Sequence, residues 1–272
     1  MSRPIPKIIH YCWFGGNQLP PSARRCIDSW RRYMPDYEIK RWDESNFDVE
    51  ETEFTADAYR LRKFAFVSDY ARLKILNEQG GLYFDTDVQL LKPIDDIVEK
   101  GPFMGIEAPE TVKTERFLHY VNVGLGFGSA PGSEVLGRLL ELYRSARFVN
   151  PDGRLNTIPI GVYTTSLLEE YGYRDADELQ QVGGFTVYPS EVFCPMNFHT
   201  GKTVLTDHTR SIHLYDATWL TPEIKLSKIY RRRLSWLPKQ LNFNISNFIA
   251  YTKLHGLRRA FAESLNWLKR KK

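Results

Sequence analysis

Gly80-Gly81-Leu82-Tyr83-Phe84-Asp85-Thr86-Asp87-Val88 decides how this chain is read. Two glycines close what looks like a long amphipathic helix, a short aromatic strand follows, and two carboxylates stand two residues apart. In extended backbone, residues i and i+2 point the same way. Tyr83, Asp85 and Asp87 are therefore expected to line one face, with Leu82, Phe84 and Val88 lying off it toward a core. Carboxylates this close repel each other and call for a cation or hydrogen-bond donors between them. Hard oxygen ligands suit Mg²⁺ or Mn²⁺, with coordination positions left over for substrate phosphates. Two acids on an exposed hairpin tip would spell the same triplet, but a tip does not need Leu-Tyr-Phe leading into it.

Reading outward, Lys7 to Cys12 is a buried first strand ended by Trp13-Phe14-Gly15-Gly16. Pro20-Pro21-Ser22 opens a helix through about Tyr33, and Tyr37 to Trp42 is a second strand. From about Ala58 to Gln79, Phe66, Tyr70, Leu73 and Leu76 recur at helical spacing, and Gly80 is placed to cap that helix. After the carboxylates, Pro93 opens a short helix and Val121 to Phe127 reads as a strand. Ser133–Ala146 and Tyr163–Tyr171 read as helices. Short strands follow near Phe185–Tyr188, Val204–Leu205 and Ser211–Leu214. Strands alternating with helices predict a mixed α/β sheet.

The 272 residues can bury one large core with an appendage. Apolar content of 42% and charged content of 26% are those of a globular chain, and 14% aromatics suit stacking on sugars or bases as well as a core. Cys12, Cys26 and Cys194 lack metal-type spacing and are expected to be buried thiols in a reducing compartment. The N-terminal stretch has no apolar signal segment, and no uncharged run is long enough for a membrane span. A soluble or peripheral cytoplasmic protein is the expectation. Charge is unevenly placed. Residues 225–272 hold thirteen Lys or Arg against the single acid Glu263, a net +12 in a chain of +4 overall, so residues 1–224 carry −8. An acidic body with a basic tail predicts that the tail meets an anionic partner.

Several residues stand out for chemistry. Asp69 and Arg72, three apart on the long helix, share one face. They are either an intrahelical ion pair or a donor clamp in which Arg72 neutralises phosphate and Asp69 accepts from sugar hydroxyls. Trp13 is either a core residue or a platform for a nucleobase, with Gly15 and Gly16 allowing close approach. In Ser211 to Trp219, extended backbone would turn Ile212 and Leu214 to the core and His213 and Tyr215 away from it. His213, with Asp216 three residues on, is structural or completes a metal shell with Asp85 and Asp87.

Four blocks in order carry a resemblance. Ile5-Pro6-Lys7-Ile8-Ile9-His10-Tyr11-Cys12-Trp13-Phe14-Gly15-Gly16 is similar to the opening of the DXD-containing sugar transferases of glycosyltransferase family 32. Phe66 to Leu76 followed by Gly80 to Asp87 resembles that family's central signature. Tyr188 to Pro195 and Ile212 to Trp219 resemble its C-terminal blocks. More distantly the chain is similar to the glucosyltransferase domains of clostridial toxins. The resemblance implies a GT-A nucleotide-sugar-binding fold over residues 1–220, retention of anomeric configuration, and a basic helical extension at 221–272. It implies that Trp13 stacks on the donor base, that Ser68 and Asp69 lie near ribose or sugar hydroxyls, and that Arg72 contacts the donor. Asp85 binds ribose or sugar, often reaching metal through water, and Asp87 ligates Mn²⁺ or Mg²⁺ directly. His213 is the expected third protein ligand. The family's His-His and Gly-Ser-Trp are here His213-Leu214 and Ala217-Thr218-Trp219, which leaves Asp216 and Thr218 open as ligands. Asn122 matches a block that faces the transferring sugar, and Tyr83 and Trp219 extend the donor-binding set.

The function expected is therefore metal-dependent, retaining hexosyl transfer. The donor is a UDP-sugar, UDP-galactose or UDP-N-acetylglucosamine first, with GDP-mannose as the alternative. The acceptor is a glycan or lipid-linked oligosaccharide of a bacterial capsule or surface polysaccharide. A non-catalytic nucleotide- or carbohydrate-binding module is the competing class, and a metal phosphohydrolase would need more ligands than this. Leu257, Phe261, Leu265 and Leu268 form an apolar stripe among Arg258, Arg259, Lys269 and Arg270. Docking on the catalytic domain or on an anionic leaflet both fit it, whereas no nucleic-acid recognition pattern is present. Peripheral attachment to the inner face of the plasma membrane is the expected location.

Overall fold

The computed structural model describes residues 4–107, 117–198, 201–216 and 222–259. The chain separates into two compact units, Met1–Met196 with Thr203–Asp216, and Asn197–Lys202 with Ala217–Lys272.

The first unit begins with β1 (Ile8–Cys12), α1 (Pro21–Tyr33) and β2 (Glu38–Trp42). Next come α2 (Glu53–Arg60), α3 (Phe64–Gln79), β3 (Gly81–Tyr83), β4 (Val88–Leu90), α4 (Asp95–Val98) and β5 (Phe103–Gly105). It continues through β6 (Phe127–Ser129), α5 (Glu134–Ser145), α6 (Ile160–Glu170), β7 (Gln180–Val182), β8 (Phe185–Tyr188), α7 (Ser190–Phe193) and β9 (Ser211–His213). Seven strands form one sheet in the order β2-β1-β3-β6-β5-β8-β7, and β4 and β9 form a separate antiparallel pair. β1 runs parallel to β2 and β3, β5 runs parallel to β8, and β6 lies antiparallel between β3 and β5. The mixed sheet expected of the GT-A type is thus present.

The helix expected from Ala58 to Gln79 is two helices. Lys63 N–H donates to Ala58 C=O and Arg62 N–H to Tyr59 C=O, while Arg62 takes φ +57°. This pair of bonds is the Schellman arrangement, which glycine usually closes. With arginine in that position, nothing in the sequence marks the stop. α3 is then buried on nearly every side from Val67 to Leu76, Asp69 and Arg72 included. Gly80 caps it as expected, at φ +68° with its N–H on Leu76 C=O. Gly81 has φ +101°, and a Cβ there would lie 2.7 Å from Ile8 C=O, so the step from helix to β3 admits only glycine.

Other expectations are corrected. Val121–Phe127 is extended only at its ends, because Asn122 Oδ1 accepts from Gly124 N–H at 2.7 Å and folds the segment into a turn. Val204 and Leu205 form no strand and are more than half exposed. In β9 the faces are reversed: Ser211 and His213 are buried and Ile212 is only half-buried, and Tyr215, just past the strand, is buried as well. The inner side of this strand packs against a polar cluster, so its polar residues turn inward.

The strands β4, β5 and β7 are three residues each, too short for periodicity to reveal. α1 holds β4 in place. Trp30 Nε1 donates to Val88 C=O at 2.8 Å and Leu90 N–H to Ser29 Oγ at 2.9 Å, with Trp30 fully buried against Phe84. The three cysteines are buried thiols.

His10 joins β1 to the end of α3. It accepts from Trp42 Nε1 at Nδ1 (3.0 Å), so Nε2–H donates to Gly80 C=O (3.0 Å) and the ring is neutral. Burial pushes its pKa down to about 4. The unfolded chain takes up a proton near 6.5 that the folded chain refuses, so this contribution is complete above pH 6.5 and is lost as pH falls toward 4. We expect urea stability to drop by up to about 3 kcal/mol over that window. In His10→Gln the proton-linked slope should shrink by up to one proton. An unchanged slope in the variant would assign the acid lability elsewhere.

The second unit contains α8 (Pro222–Arg233) and α9 (Lys239–His255), with Pro238 and Gly256 bounding α9 as the sequence suggests. Among the described residues, no helix is long and apolar enough to cross a membrane.

Candidate active site

β3 delivers Asp85 and Asp87 to the end of the sheet, and the chain turns there, with Val88 N–H on Asp85 C=O. The register of the β4–β9 pair sets His213 opposite Val88, and Leu214 N–H donates to Asp87 C=O. A residue 126 positions away is thereby brought to the carboxylates, with His213 Nε2 3.1 Å from Asp87 Oδ1. One ligand atom each of Asp85, Asp87 and His213 lies within 4.8 Å of the others. Asp216 enters through its backbone, whose N–H donates to Asp87 Oδ2 at 2.9 Å. Thr218 and Trp219 lie outside the described residues.

Arg72 organises the other side. Its Nη2 is 3.1 Å from both Asp69 Oδ1 and Asp85 Oδ1, its Nη1 is 3.3 Å from Asp85 Oδ2, and its Nε donates to Ser68 C=O. The fork grips Asp85 with both nitrogens, the geometry in which guanidinium and carboxylate bind best. Ser68 Oγ is turned back to Phe64 C=O, so its carbonyl, not its hydroxyl, serves Arg72. Tyr83 is buried beneath the guanidinium, 4.8 Å from it, and its hydroxyl donates to Asp85. It therefore orients Asp85 from below instead of presenting a face to a donor.

Asn122 and Glu107 close the cluster. Asn122 Nδ2 donates to Glu107 Oε2 at 3.0 Å, and Tyr215 Oη donates to Glu107 Oε1 at 3.1 Å. The Tyr215 ring lies 4.1 Å from that of His213, so Glu107 ties the Asn122 turn to the His213 strand. A Cβ on Gly124 would collide with Asp85 Oδ2 and sit 2.9 Å from Arg72 Nη1. Only glycine lets this turn close over the pair. Neither Glu107 nor Gly124 is picked out by the sequence reading. The available signal for Glu107 was an acid ending the apolar run Phe103-Met104-Gly105-Ile106, the same grammar that marks Asp85.

Trp13 follows β1, half-buried, with Nε1 on Asn17 C=O at 2.7 Å and backbone N–H on Trp42 C=O. Gly15 is needed for another reason than close approach of a ligand, since a Cβ there would run into the Phe64 ring. Gly16 has open space around it.

The charges respond to this packing. Burial raises the Asp69 carboxyl to about 7 even with Arg72 beside it, and raises Asp85 against the pull of Arg72. Burial would raise Asp87 too, but His213 and the Asp216 N–H outweigh it and hold the group below the usual carboxylate range. Burial would lower His213, yet Asp87, Asp85 and Glu107 hold it above its ordinary value. The negative charge of the cluster thus favours the protonated form of His213. Two carboxylates and an imidazole are ligands for Mn²⁺ or Mg²⁺, and such a cation would replace that proton. The residues fit a divalent ion.

The family of the glycosyltransferase sugar-binding region containing the DXD motif matches residues 20–104, the stretch that carries α3, β3 and both aspartates. The chain is a glycosyltransferase of the DXD type. Its resemblance to family 32 stands. The glycosyltransferase is 23% identical over 239 residues to the uncharacterized glycosyltransferase L373 of Acanthamoeba polyphaga mimivirus, covering 83% of this chain and 88% of that protein. It is 30% identical over 111 residues to inositol phosphoceramide mannosyltransferase 1 of Schizosaccharomyces pombe, covering 37% of this chain and 33% of that one. Among solved structures it resembles the PaToxG glycosyltransferase, with 18% identity and a TM-score of 0.46 over 62% of this chain and 70% of that one.

Proposed function

We propose that this glycosyltransferase moves a hexose from a UDP-sugar to a lipid-linked glycan acceptor, with retention of configuration and with Mn²⁺ or Mg²⁺ bound. The observation that carries the reading is the convergence of Asp85, gripped by Arg72, with Asp87 and His213 at the end of β3. Asp87 and His213, with Asp85 beside them, would hold the cation, which neutralises the diphosphate as the nucleotide departs. Arg72 adds fixed positive charge on the same side, pre-oriented by Asp69 and the Ser68 carbonyl. The Asn122 amide, fixed by Glu107 and the Gly124 N–H, presents to the sugar.

Retention by front-face attack is favoured over double displacement. Asp85 is occupied by Arg72, and Glu107 by Asn122 and Tyr215, so neither carboxylate is free to attack the anomeric carbon. In the step proposed, the acceptor hydroxyl oxygen bonds to the anomeric carbon on the face from which the β-phosphate oxygen leaves. The hydroxyl proton passes to that departing oxygen. A lipid-linked acceptor exists only at a membrane, so we place the reaction in the cytoplasm at the inner face of the plasma membrane, in capsular or surface polysaccharide synthesis.

Hydrolysis of labelled nucleotide sugars by the full chain, with and without Mn²⁺, tests the reading. Metal-dependent release of galactose or N-acetylglucosamine is expected. Turnover of GDP-mannose alone would favour the mannosyl donor, toward which the mannosyltransferase relative leans. Donor binding without any turnover would mark a binding module. If Trp13 stacks on uracil, Trp13→Ala should raise the UDP dissociation constant by roughly one to two decades, since base–aromatic stacking is worth about 1–3 kcal/mol. An unchanged constant would return Trp13 to the core.

A further inference from the structure

The second unit is built inside out for a helical hairpin in water. Its seam is polar. Ser227 and Ser246 are fully buried, Asn247 Oδ1 accepts from Ser227 Oγ and from Arg231 Nη2, and Asn242 Nδ2 donates to the carbonyls of Arg231 and Leu234. Its outside carries exposed apolar side chains. Trp236, at the turn between α8 and α9, is 76% exposed, and Ile229, Leu241, Phe243 and Leu254 are each more than 40% exposed. A hairpin facing only water gains nothing from that distribution, because apolar burial is the main driving force for packing two helices.

Charge identifies the surface that would cover it. Residues 222–259 hold nine Lys or Arg and a single acid. That acid, Glu223, is paired with His255 at 2.7 Å, at the opposite end of the hairpin from Trp236. Arg231, Arg232 and Arg233 directly precede the Leu234-Ser235-Trp236-Leu237-Pro238 turn. A tryptophan projecting beside clustered cations matches the boundary of an anionic bilayer, where indoles partition to the headgroup level and each basic residue adds attraction. RNA fits less well, because residues 222–259 carry no nucleic-acid recognition pattern.

We propose that the 234–238 turn, with the adjoining outer faces of α8 and α9, docks on anionic lipid, placing Trp236 in the headgroup boundary and Arg233 on lipid phosphates. The attachment is parallel to the surface and does not span it. Its purpose rests on the proposed lipid-linked acceptor, whereas its geometry does not. The stripe residues Phe261, Leu265 and Leu268, with Lys269 and Arg270, lie outside the described residues, and the docking surface here is independent of them.

Co-sedimentation of the full chain with vesicles tests this, using phosphatidylcholine alone and equal parts phosphatidylcholine and phosphatidylglycerol. Binding is expected only with phosphatidylglycerol and should fade at roughly 0.5 M salt. Trp236→Ala should weaken it about tenfold and Arg233→Glu about 20-fold, with nucleotide-sugar hydrolysis unchanged in both. Wild-type binding by both variants, equal binding to pure phosphatidylcholine, or sedimentation only with added single-stranded RNA would each overturn the proposal. Vesicle binding by a chain that hydrolyses no donor would support the docking surface while refuting the proposed reaction.

Discussion

Asp87→Asn should reduce glycosyl transfer by about 10³-fold while leaving the unfolding midpoint nearly unmoved. The amide oxygen can still accept from Asp216 N–H, so the bond that holds the turn at this position survives. What disappears is the charge that pairs with His213 and would face a cation. Without that carboxylate His213 loses its main reason to hold a proton. Mn²⁺ titrated calorimetrically should bind far more weakly to the variant, and excess Mn²⁺ should recover part of the turnover. Transfer near the wild-type rate at low Mn²⁺ would sink the assignment of Asp87 as a ligand. Stripping the wild-type protein with a chelator should reproduce the variant's loss, and adding back Mn²⁺ should reverse it.

Arg72→Met should be the most damaging change to the fold near the site, at a cost of roughly 3–5 kcal/mol. The guanidinium is buried between Asp69 and Asp85 above the Tyr83 ring, and methionine leaves Asp69 without a counter-charge and Asp85 with only the His213 ring nearby. The sign of its pH dependence follows from which state holds the protons. Asp69 already ionises only near 7 in the folded wild type, and removing Arg72 raises both folded carboxyl values further. Groups with raised folded values stabilise in acid and lose that contribution as pH rises. The deficit relative to wild type should therefore be small near pH 4 and grow through neutrality. Urea unfolding across this range would show it, and a deficit independent of pH would mean that lost packing, not uncompensated charge, is the cause.

Much of this site was legible because its signals are local. Gly80 and Gly81 mark the end of α3, the apolar Leu82-Tyr83-Phe84 marks a buried strand, and the spacing of Asp85 and Asp87 puts both carboxylates beyond it. Asp69 and Arg72 meet because residues three apart on a helix are neighbours. The break at Arg62 was not legible, since arginine took the left-handed position that glycine normally announces. Nor was the inward turn of His213 and Tyr215, because alternation says only that two faces differ and not which one meets the core.

The residue pattern alone determined a mixed α/β sheet, a carboxylate pair at a strand end and a strongly basic C-terminal segment, since helical period, strand period and charge are properties of neighbours in sequence. Tertiary structure decided the rest. The β4–β9 register, set by pairing across more than 120 residues, chose His213 over Asp216 as the side chain facing Asp87. Packing of the Asn122 turn over Gly124 brought in Glu107, and the turn between α8 and α9 leaves Trp236 exposed. A buried polar group must find a partner wherever the fold supplies one, and that partner is fixed by long-range packing, which no local spacing encodes.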